Sequence, residues 1–369
     1  MNRRRIRHPI LLLVLAIVGG VSLTALLILW RISSGISGAL PHEQGALRWQ
    51  GEGELEYAQV SVYRPVANPL SVSMIESSGD AIKAKLSDAG IPDAAYLIDY
   101  GAELTCGADS DGGNCSAALT LVEGDFFRLH GFRFLSGDGF RPDDVMQDRV
   151  VLDELAAWKL FSSNNCAGLR VHINGRDFYV AGVVERETDR YAKLCYGEEP
   201  RIYASYRGWY NTPGVEAGDP APVTFCEAVL PEPVDGFAAD AFVAGIGLDE
   251  DEISHNSERF RLESLWANLR GMHMQGILSN AVVYPYWESA ARLAANRASL
   301  LLIPMLICLV PLTGWAIYGL LCLRRLVGAG GRGAAHLAER MVERRRTRAY
   351  LKHEAQKRRE RKEEHDENE

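Results

Sequence analysis

Asp109, Asp111 and Asn114 stand among glycines, close enough in sequence to offer clustered oxygen ligands to a calcium ion. Their spacing does not complete an EF-hand loop, and no glutamate follows at its closing position. A polar turn is the preferred reading. His130, His172, His255 and His273 show no metal-ligand spacing. The chain has no Walker A sequence, no His-Glu-x-x-His and no Cys-x-x-Cys, so the recognisable ATP, zinc-protease and zinc-cluster motifs are missing. Gly328-Ala-Gly-Gly-Arg-Gly333 formally matches Gly-x-Gly-x-x-Gly, but an apolar run rather than a strand precedes it. No catalytic residue, cofactor or metal is expected, and the chain is not read as an enzyme.

The cysteines are the remaining reactive groups. Cys106, Cys115, Cys166, Cys195 and Cys226 lie between two apolar runs, and Cys308 and Cys322 lie in the second run. Five cysteines in an oxidising compartment allow two disulfides and one free thiol. Cys106 and Cys115 flank the Gly- and Asp-rich stretch Gly107 to Asn114, and this local pair is the preferred bridge. Cys166 with Cys195 is the second choice, and free buried thiols are the alternative.

The elements that hold these residues begin with the apolar runs. Ile10 to Trp30 is 21 residues without a charge, and Ser299 to Leu323 is 25. A bilayer core needs about 20 apolar residues in helix, so each run can span once. A cleaved signal peptide competes for the first run, but its length and the Trp30-Arg31 pair favour an uncleaved anchor. Arg3, Arg4, Arg5 and Arg7 precede the first run, and 14 Lys and Arg follow the second. Positive flanks stay cytoplasmic. The expected layout is a basic cytoplasmic N-terminus (1–9), a transmembrane helix (10–30), an extracytoplasmic domain (31–298), a transmembrane helix (299–323) and a basic cytoplasmic helical tail (324–369) in the plasma membrane.

Charge follows the same division. Residues 32–298 hold 39 acids against 21 bases, a net of −18, and residues 324–369 hold 14 bases against 9 acids, a net of +5. A basic tail suits an anionic inner membrane surface. Arg324 and Arg325 are therefore candidate contacts to lipid or to a partner, and nucleic acid is not expected.

Within the domain, residues 57–63 alternate as a strand, and residues 72–89 read as a helix with Met74, Ile75, Ile82 and Leu86 on one face. Residues 94–100 and 117–122 read as strands, with a short helix at Asp125–His130. Arg149 to Leu152 is a strand. Asp153 caps a helix from Glu154 to Phe161 with an apolar face of Leu155, Trp158, Leu160 and Phe161. Residues 169–184 form a hairpin turning at Asn174-Gly175. Strands at 201–206 and 223–230, a helix at Asp235–Gly245 and an amphipathic helix through Leu262, Leu265, Trp266 and Leu269 follow. From Pro285 a helical pattern runs toward the second span, and Gly328–Gly333 reads as a flexible joint. Residues 33–54 read as an irregular lead-in. Mixed short strands and helices without a βαβ rhythm predict an α+β extracytoplasmic domain between two transmembrane α-helices.

Four segments, in order, carry a family resemblance. They are Gly124-Asp-Phe-Phe-Arg-Leu-His-Gly-Phe-Arg-Phe-Leu-Ser-Gly137, Arg149-Val-Val-Leu-Asp-Glu-Leu-Ala-Ala-Trp-Lys-Leu-Phe161, the hairpin Leu169 to Val184, and Pro200-Arg-Ile-Tyr-Ala-Ser-Tyr206. Together they resemble the MacB-like periplasmic core domain of FtsX-superfamily ABC-transporter permeases. The resemblance implies a permease-like, non-enzymatic membrane subunit coupled to a separate cytoplasmic ABC ATPase. Family permeases usually have three spans after this domain and the sequence shows one. That implies a reduced, two-span form, with a second permease-like chain or a homodimer as partner. The alternative is a membrane-anchored extracytoplasmic sensor or scaffold without transport activity.

Overall fold

The computed structural model describes residues 4–51, 53–211, 221–248, 252–275 and 282–366. The chain forms two compact units, Leu29–Ile303 and a second made of Met1–Ile28 with Pro304–Glu369. The apolar runs fall on α1 (Arg4–Gly38) and α10 (Tyr286–Asp366). Their segments Ala16–Gly38 and Tyr286–Leu321 are long and apolar enough to cross a membrane, with mean hydropathies of 1.8 and 2.3. Only 6% of each apolar window is buried, so neither is the sequestered core helix of a soluble fold. In the second unit Gly19 faces the Trp315 ring, where an added Cβ would lie 3.4 Å from Cγ. Gly328–Gly333, expected as a joint, lies within α10, because the helical ladder continues through glycines when no proline interrupts it. Arg3 lies outside the described residues, as do the side chains of Arg4, Arg5, Arg7, Arg325 and Cys322.

The Leu29–Ile303 unit is the expected α+β domain, built on one ten-stranded mixed sheet. Its long central hairpin is β2 (Leu97–Ser110) and β3 (Gly113–Gly124), joined at Asp111-Gly112. On one side β2 pairs with β9 (Phe225–Pro231), then β1 (Tyr57–Tyr63) and β10 (Ile253–His255). On the other side β3 pairs in parallel with β8 (Arg201–Ser205), followed by β5 (Arg149–Asp153), β7 (Arg176–Val184) and β4 (Phe134–Gly137). Strand β6 (Arg170–Ile173) pairs with β7 and returns to β2 through Ala108↔Ile173 and Asp109↔His172. Six strands thus close into a ring.

Local chemistry explains the connections. Asn174 and Gly175 both have positive φ (48° and 77°), as the tight β6–β7 turn requires. The Asp153 side chain accepts from Ala156 N at 2.7 Å and starts α5 (Glu154–Phe161). The face of α5 differs from expectation. Ala156, Ala157 and Leu160 are buried and Trp158 points outward, because small side chains let the helix sit close to the sheet. The helices α3 (Val72–Asp88) and α8 (Phe237–Ile246) cover the same face, where Ile75, Ile82, Leu86, Phe242 and Ile246 join the main apolar core. An added Cβ on Gly245 would lie 3.1 Å from Ser78 Cβ, so this glycine lets the two helices approach.

The expected irregular lead-in is ordered differently. α1 continues to Gly38, and α2 (Gly45–Gln50) follows a 3-10 turn at Pro41–Gln44. Three helices of the opposite face are short or sit near the second apolar helix. They are α4 (Phe126–Leu129), α6 (Arg190–Tyr196) and α9 (Leu262–Gln275). A further short helix, α7 (Tyr206–Asn211), follows β8.

Candidate functional site

Many of the deeply buried polar residues of the domain, Gln59, Ser61, Asp99, His130, Glu227 and Glu288 among them, lie on the sheet face opposite the main core or on the elements that cover it. Alternation along β1 sends Val60 and Val62 to the main apolar core and Gln59, Ser61 and Tyr63 to the other face. Glu227 on β9 lies opposite Ser61 on β1 and opposite Asp99 on β2. The 3-10 turn after α1 brings His42 and Glu43 to this face, and the first turns of α10 bring Tyr286, Trp287, Glu288 and Arg292.

Glu227 is held from three sides. Trp287 Nε1 donates to its Oε1 at 2.6 Å, Tyr63 OH donates to the same oxygen at 3.0 Å, and Gln59 Nε2 reaches Oε2 at 3.4 Å. Gln59 also donates to the His42 carbonyl at 3.0 Å and accepts from Gly45 N at 3.0 Å. A second group centres on Glu288, which receives both terminal nitrogens of Arg259 (3.1 and 2.7 Å) and Nε of Arg292 at 2.6 Å. Arg259 Nε lies 3.1 Å from Glu43. Asn256 donates to Glu43 at 3.1 Å and accepts from Ser61 at 2.7 Å. A third link joins His42 Nε2 to Glu187 at 2.7 Å, with Tyr286 OH 3.2 Å from the same nitrogen. The turn after α1 and the start of α10 are thus tied to each other through the Glu43–Arg259–Glu288 ion pairs, and to β1 and β9 through hydrogen bonds of the uncharged side chains Asn256, Gln59 and Trp287.

Burial dominates the electrostatics. It pushes the Glu227 carboxyl up to about 8, against the hydrogen bond from Trp287. It pushes Glu43 up to about 7, against the pull of Arg259. Burial pulls the Arg259 guanidinium down, but Glu288 and Glu43 outweigh it and the group is held above its ordinary value. Burial raises Glu187 too, yet His42 outweighs that and holds the carboxyl below its usual range. Asp99 and His130 are the least well paired of these groups. Both are fully buried, and among the described residues none of their side-chain polar atoms has a hydrogen-bond partner. His130 Nε2 lies 3.7 Å from Asp99 and 4.0 Å from Glu227, beyond hydrogen-bonding reach. Burial and the Glu227 charge hold Asp99 well above the carboxylate range, and burial holds His130 well below the imidazole range. Burial thus disfavours the charged form of both groups.

The residues singled out in sequence lie elsewhere. In place of the expected bridge, Cys106 and Cys115 are free thiols on paired strands, because the stretch between them is the end of the β2–β3 hairpin rather than a loop. Cys106 stands opposite Ala117 and Cys115 opposite Ala108, two steps apart in register. Burial pushes the Cys106 thiol up to about 12. Cys166 and Cys195 are also free and lie in different clusters, Cys166 in the main core and Cys195 at the edge of the opposite one. Asp109 pairs with Asn114 across the same hairpin end. Arg324 is exposed on α10. Sequence reading missed Glu227, Arg259 and His42, whose only signal was a polar residue alternating within apolar strands or isolated in a turn.

Among the described residues the site presents no nucleophile with a base beside a substrate cavity. The profile of the MacB-like periplasmic core domain matches residues 11–221, more than half of the chain. The chain belongs to this family. The family domain thus takes in the first apolar helix, the β2–β3 hairpin and the β5–β8 half of the sheet. Members of the family typically act as permease domains without catalytic activity.

Among solved structures, the chain is similar to the extracellular domain of the noncanonic ABC-type transporter YknZ from Gram-positive bacteria. That match has 14% identity and a TM-score of 0.37, covering 54% of this chain and 98% of that one. The periplasmic region of MacB from Actinobacillus actinomycetemcomitans matches at 16% identity with a TM-score of 0.39, covering 60% and 94%. A domain of a putative permease protein from Porphyromonas gingivalis matches at 14% and 0.30, covering 50% and 76%. No curated protein sequence matches the chain.

Proposed function

We propose that this chain is a permease-like, non-enzymatic membrane subunit of an ABC-transporter system, coupled to a separate cytoplasmic ATPase. The core domain lies outside the cytoplasm and both termini inside, as the positive flanks require. The single observation that carries the coupling is the polar network: Glu288 of α10 and Glu43 after α1 share Arg259. A tilt of either helix relative to the other breaks a buried ion pair unless the whole group moves together. Such a joint passes movement of the helices into the sheet without chemistry in the domain itself. Two candidate spans among the described residues favour a second membrane chain or a homodimer that completes the helix bundle. Arg324, at the cytoplasmic end of the second run, is a natural contact for the ATPase.

The test is purification of the full chain from its native membrane in mild detergent. An ABC ATPase should copurify, and its hydrolysis rate should change when the partner chain carries Arg259→Met. Recovery of no ATPase, or a rate indifferent to that substitution in a folded chain, overturns the coupling.

A further inference from the structure

The helix α9 descends beside the start of α10. Arg259, just before α9, bonds Glu288, 29 residues on; Asn268 bonds Asn296 and Ser299, 28 and 31 residues on. A near-constant offset means that the two helices run parallel, side by side. Adding it to Arg270 places that residue level with 298–301, and Ser299 is where the charge-free run begins. One face of α9 buries Leu265 against Ala291, Ala294 and Ala298 of α10. The other face exposes Leu262 (69%) and Trp266 (38%), and the Arg270 guanidinium folds back over the Trp266 ring at 5.3 Å.

This pairing is what a bilayer interface selects. Tryptophan is enriched at headgroup level, and arginine there lays its stem on apolar surface while its head turns away from hydrocarbon. The only acid on α9 is Glu263, in its first turn, farthest from Ser299. At the other end Arg270 and the exposed Arg297 present positive charge on a domain whose net charge is −18, from 39 acids against 21 bases. Helix α6, packed into the same base through Ala192, exposes Leu194 (70%) beside Arg190 and Lys193.

We propose that α9 is a third membrane-contacting element. Its C-terminal half stands in the headgroup layer of the outer leaflet, with Trp266 among the headgroups and Arg270 and Arg297 on lipid phosphate. The helix does not span; it braces the base of the domain against the membrane surface beside α10. This rests on the membrane reading above.

The test uses the full chain in nanodiscs made with phospholipids brominated near the headgroup or deep in the acyl chain. Emission lost on Trp266→Phe isolates that residue, and emission lost on Trp315→Phe isolates one in the second run. Trp266 emission should be quenched about twofold more by shallow bromines than by deep ones, as an interfacial tryptophan is. Arg270→Glu should reduce the shallow quenching in anionic discs. Trp315 should be quenched by deep bromines. Trp315 quenched with Trp266 untouched, or Trp266 quenched equally at both depths, overturns the brace and leaves the membrane reading intact. Neither residue quenched overturns both.

Discussion

Phe242 and Trp287 are both fully buried against the same sheet, in surroundings of opposite chemistry. Phe242 sits with Ile82, Leu86 and Ala239 in the main core, where α3 and α8 cover the strands with mainly apolar side chains. Trp287 sits among Phe126, Phe225 and Tyr286, but its indole nitrogen is spent on Glu227, and Glu288 beside it is fully buried between arginines. An apolar face tolerates sliding, since dispersion contacts are non-directional. A buried ion pair does not, because leaving one partner unmatched in a low dielectric is costly. The carbon face therefore holds the sheet together, and the polar face fixes where α1 and α10 attach to it.

The largest expected effect breaks that polar face. Arg259→Met leaves Glu43 and Glu288 buried without their shared partner, and a loss of about 3–5 kcal/mol is expected. Phe242→Ala on the carbon face should cost about as much, ~3–5 kcal/mol, through the cavity it opens. Equal costs make the pair informative. Thermal unfolding of the detergent-solubilised chain across pH 5 to 9 should show a changed pH profile for Arg259→Met only. An identical profile for both would remove the distinction between the faces.

The next effect concerns protonation. Glu227 and Glu43 are acids whose folded values, about 8 and about 7, lie above the unfolded value of 4.5. The folded state then holds protons that the unfolded state releases, so stability falls as pH rises. The fall begins near 4.5, and it is complete above about 8 for Glu227 and above about 7 for Glu43. Glu227→Gln keeps an acceptor for Trp287 and Tyr63 and carries no charge. It should flatten the slope and stabilise the chain at pH 8 by roughly 1–3 kcal/mol relative to the parent, the order expected for relieving a buried carboxylate. A steeper slope, or destabilisation at pH 8, would mean that Glu227 is held ionised and fully compensated.

The two faces were also unequally legible in the sequence. The β1 strand, the Asn174-Gly175 hairpin and the Asp153 cap depend on local codes, and the structure has each of them where those codes put it. The carbon face was readable too, because Ile75, Ile82 and Leu86 repeat at helical spacing. The polar face was not. Gln59, Ser61 and Tyr63 alternate with apolar neighbours as a solvent-facing set does, and only helices distant in sequence cover them. Glu43 and Glu288 meet at Arg259 from 216 residues before it and 29 after it, and no local pattern encodes such a meeting. The β2–β3 hairpin was under-read because its glycine- and aspartate-rich end resembles a loop, although both strands stay paired from Asp99↔Gly124 to Ser110↔Gly113.

A smaller effect tests a local code against tertiary packing. Gly175→Ala places a Cβ at φ 77°, a conformation that a side chain disfavours. The cost should be about 1–2 kcal/mol by urea unfolding, since no neighbour lies within 4 Å to add a clash. A loss much larger than that would mean that the hairpin also serves to close the ring with β2.

The smallest effect separates helix pattern from burial. Trp158 belongs to the face of α5 that periodicity marks as apolar, yet it is 60% exposed while Ala156, Ala157 and Leu160 fill the contact. A tryptophan in the core would cost about 3–5 kcal/mol on truncation to alanine. On the surface, away from caps and ion pairs, the change stays within about ±0.5 kcal/mol. Trp158→Ala should therefore leave the thermal midpoint nearly unmoved, whereas Leu160→Ala, two residues on and fully buried on the other side of the helix, should lower it by the equivalent of about 2–5 kcal/mol. If Trp158→Ala proves the more damaging of the two, α5 is rotated in solution, and the alanine-lined approach of this helix to the carbon face is wrong.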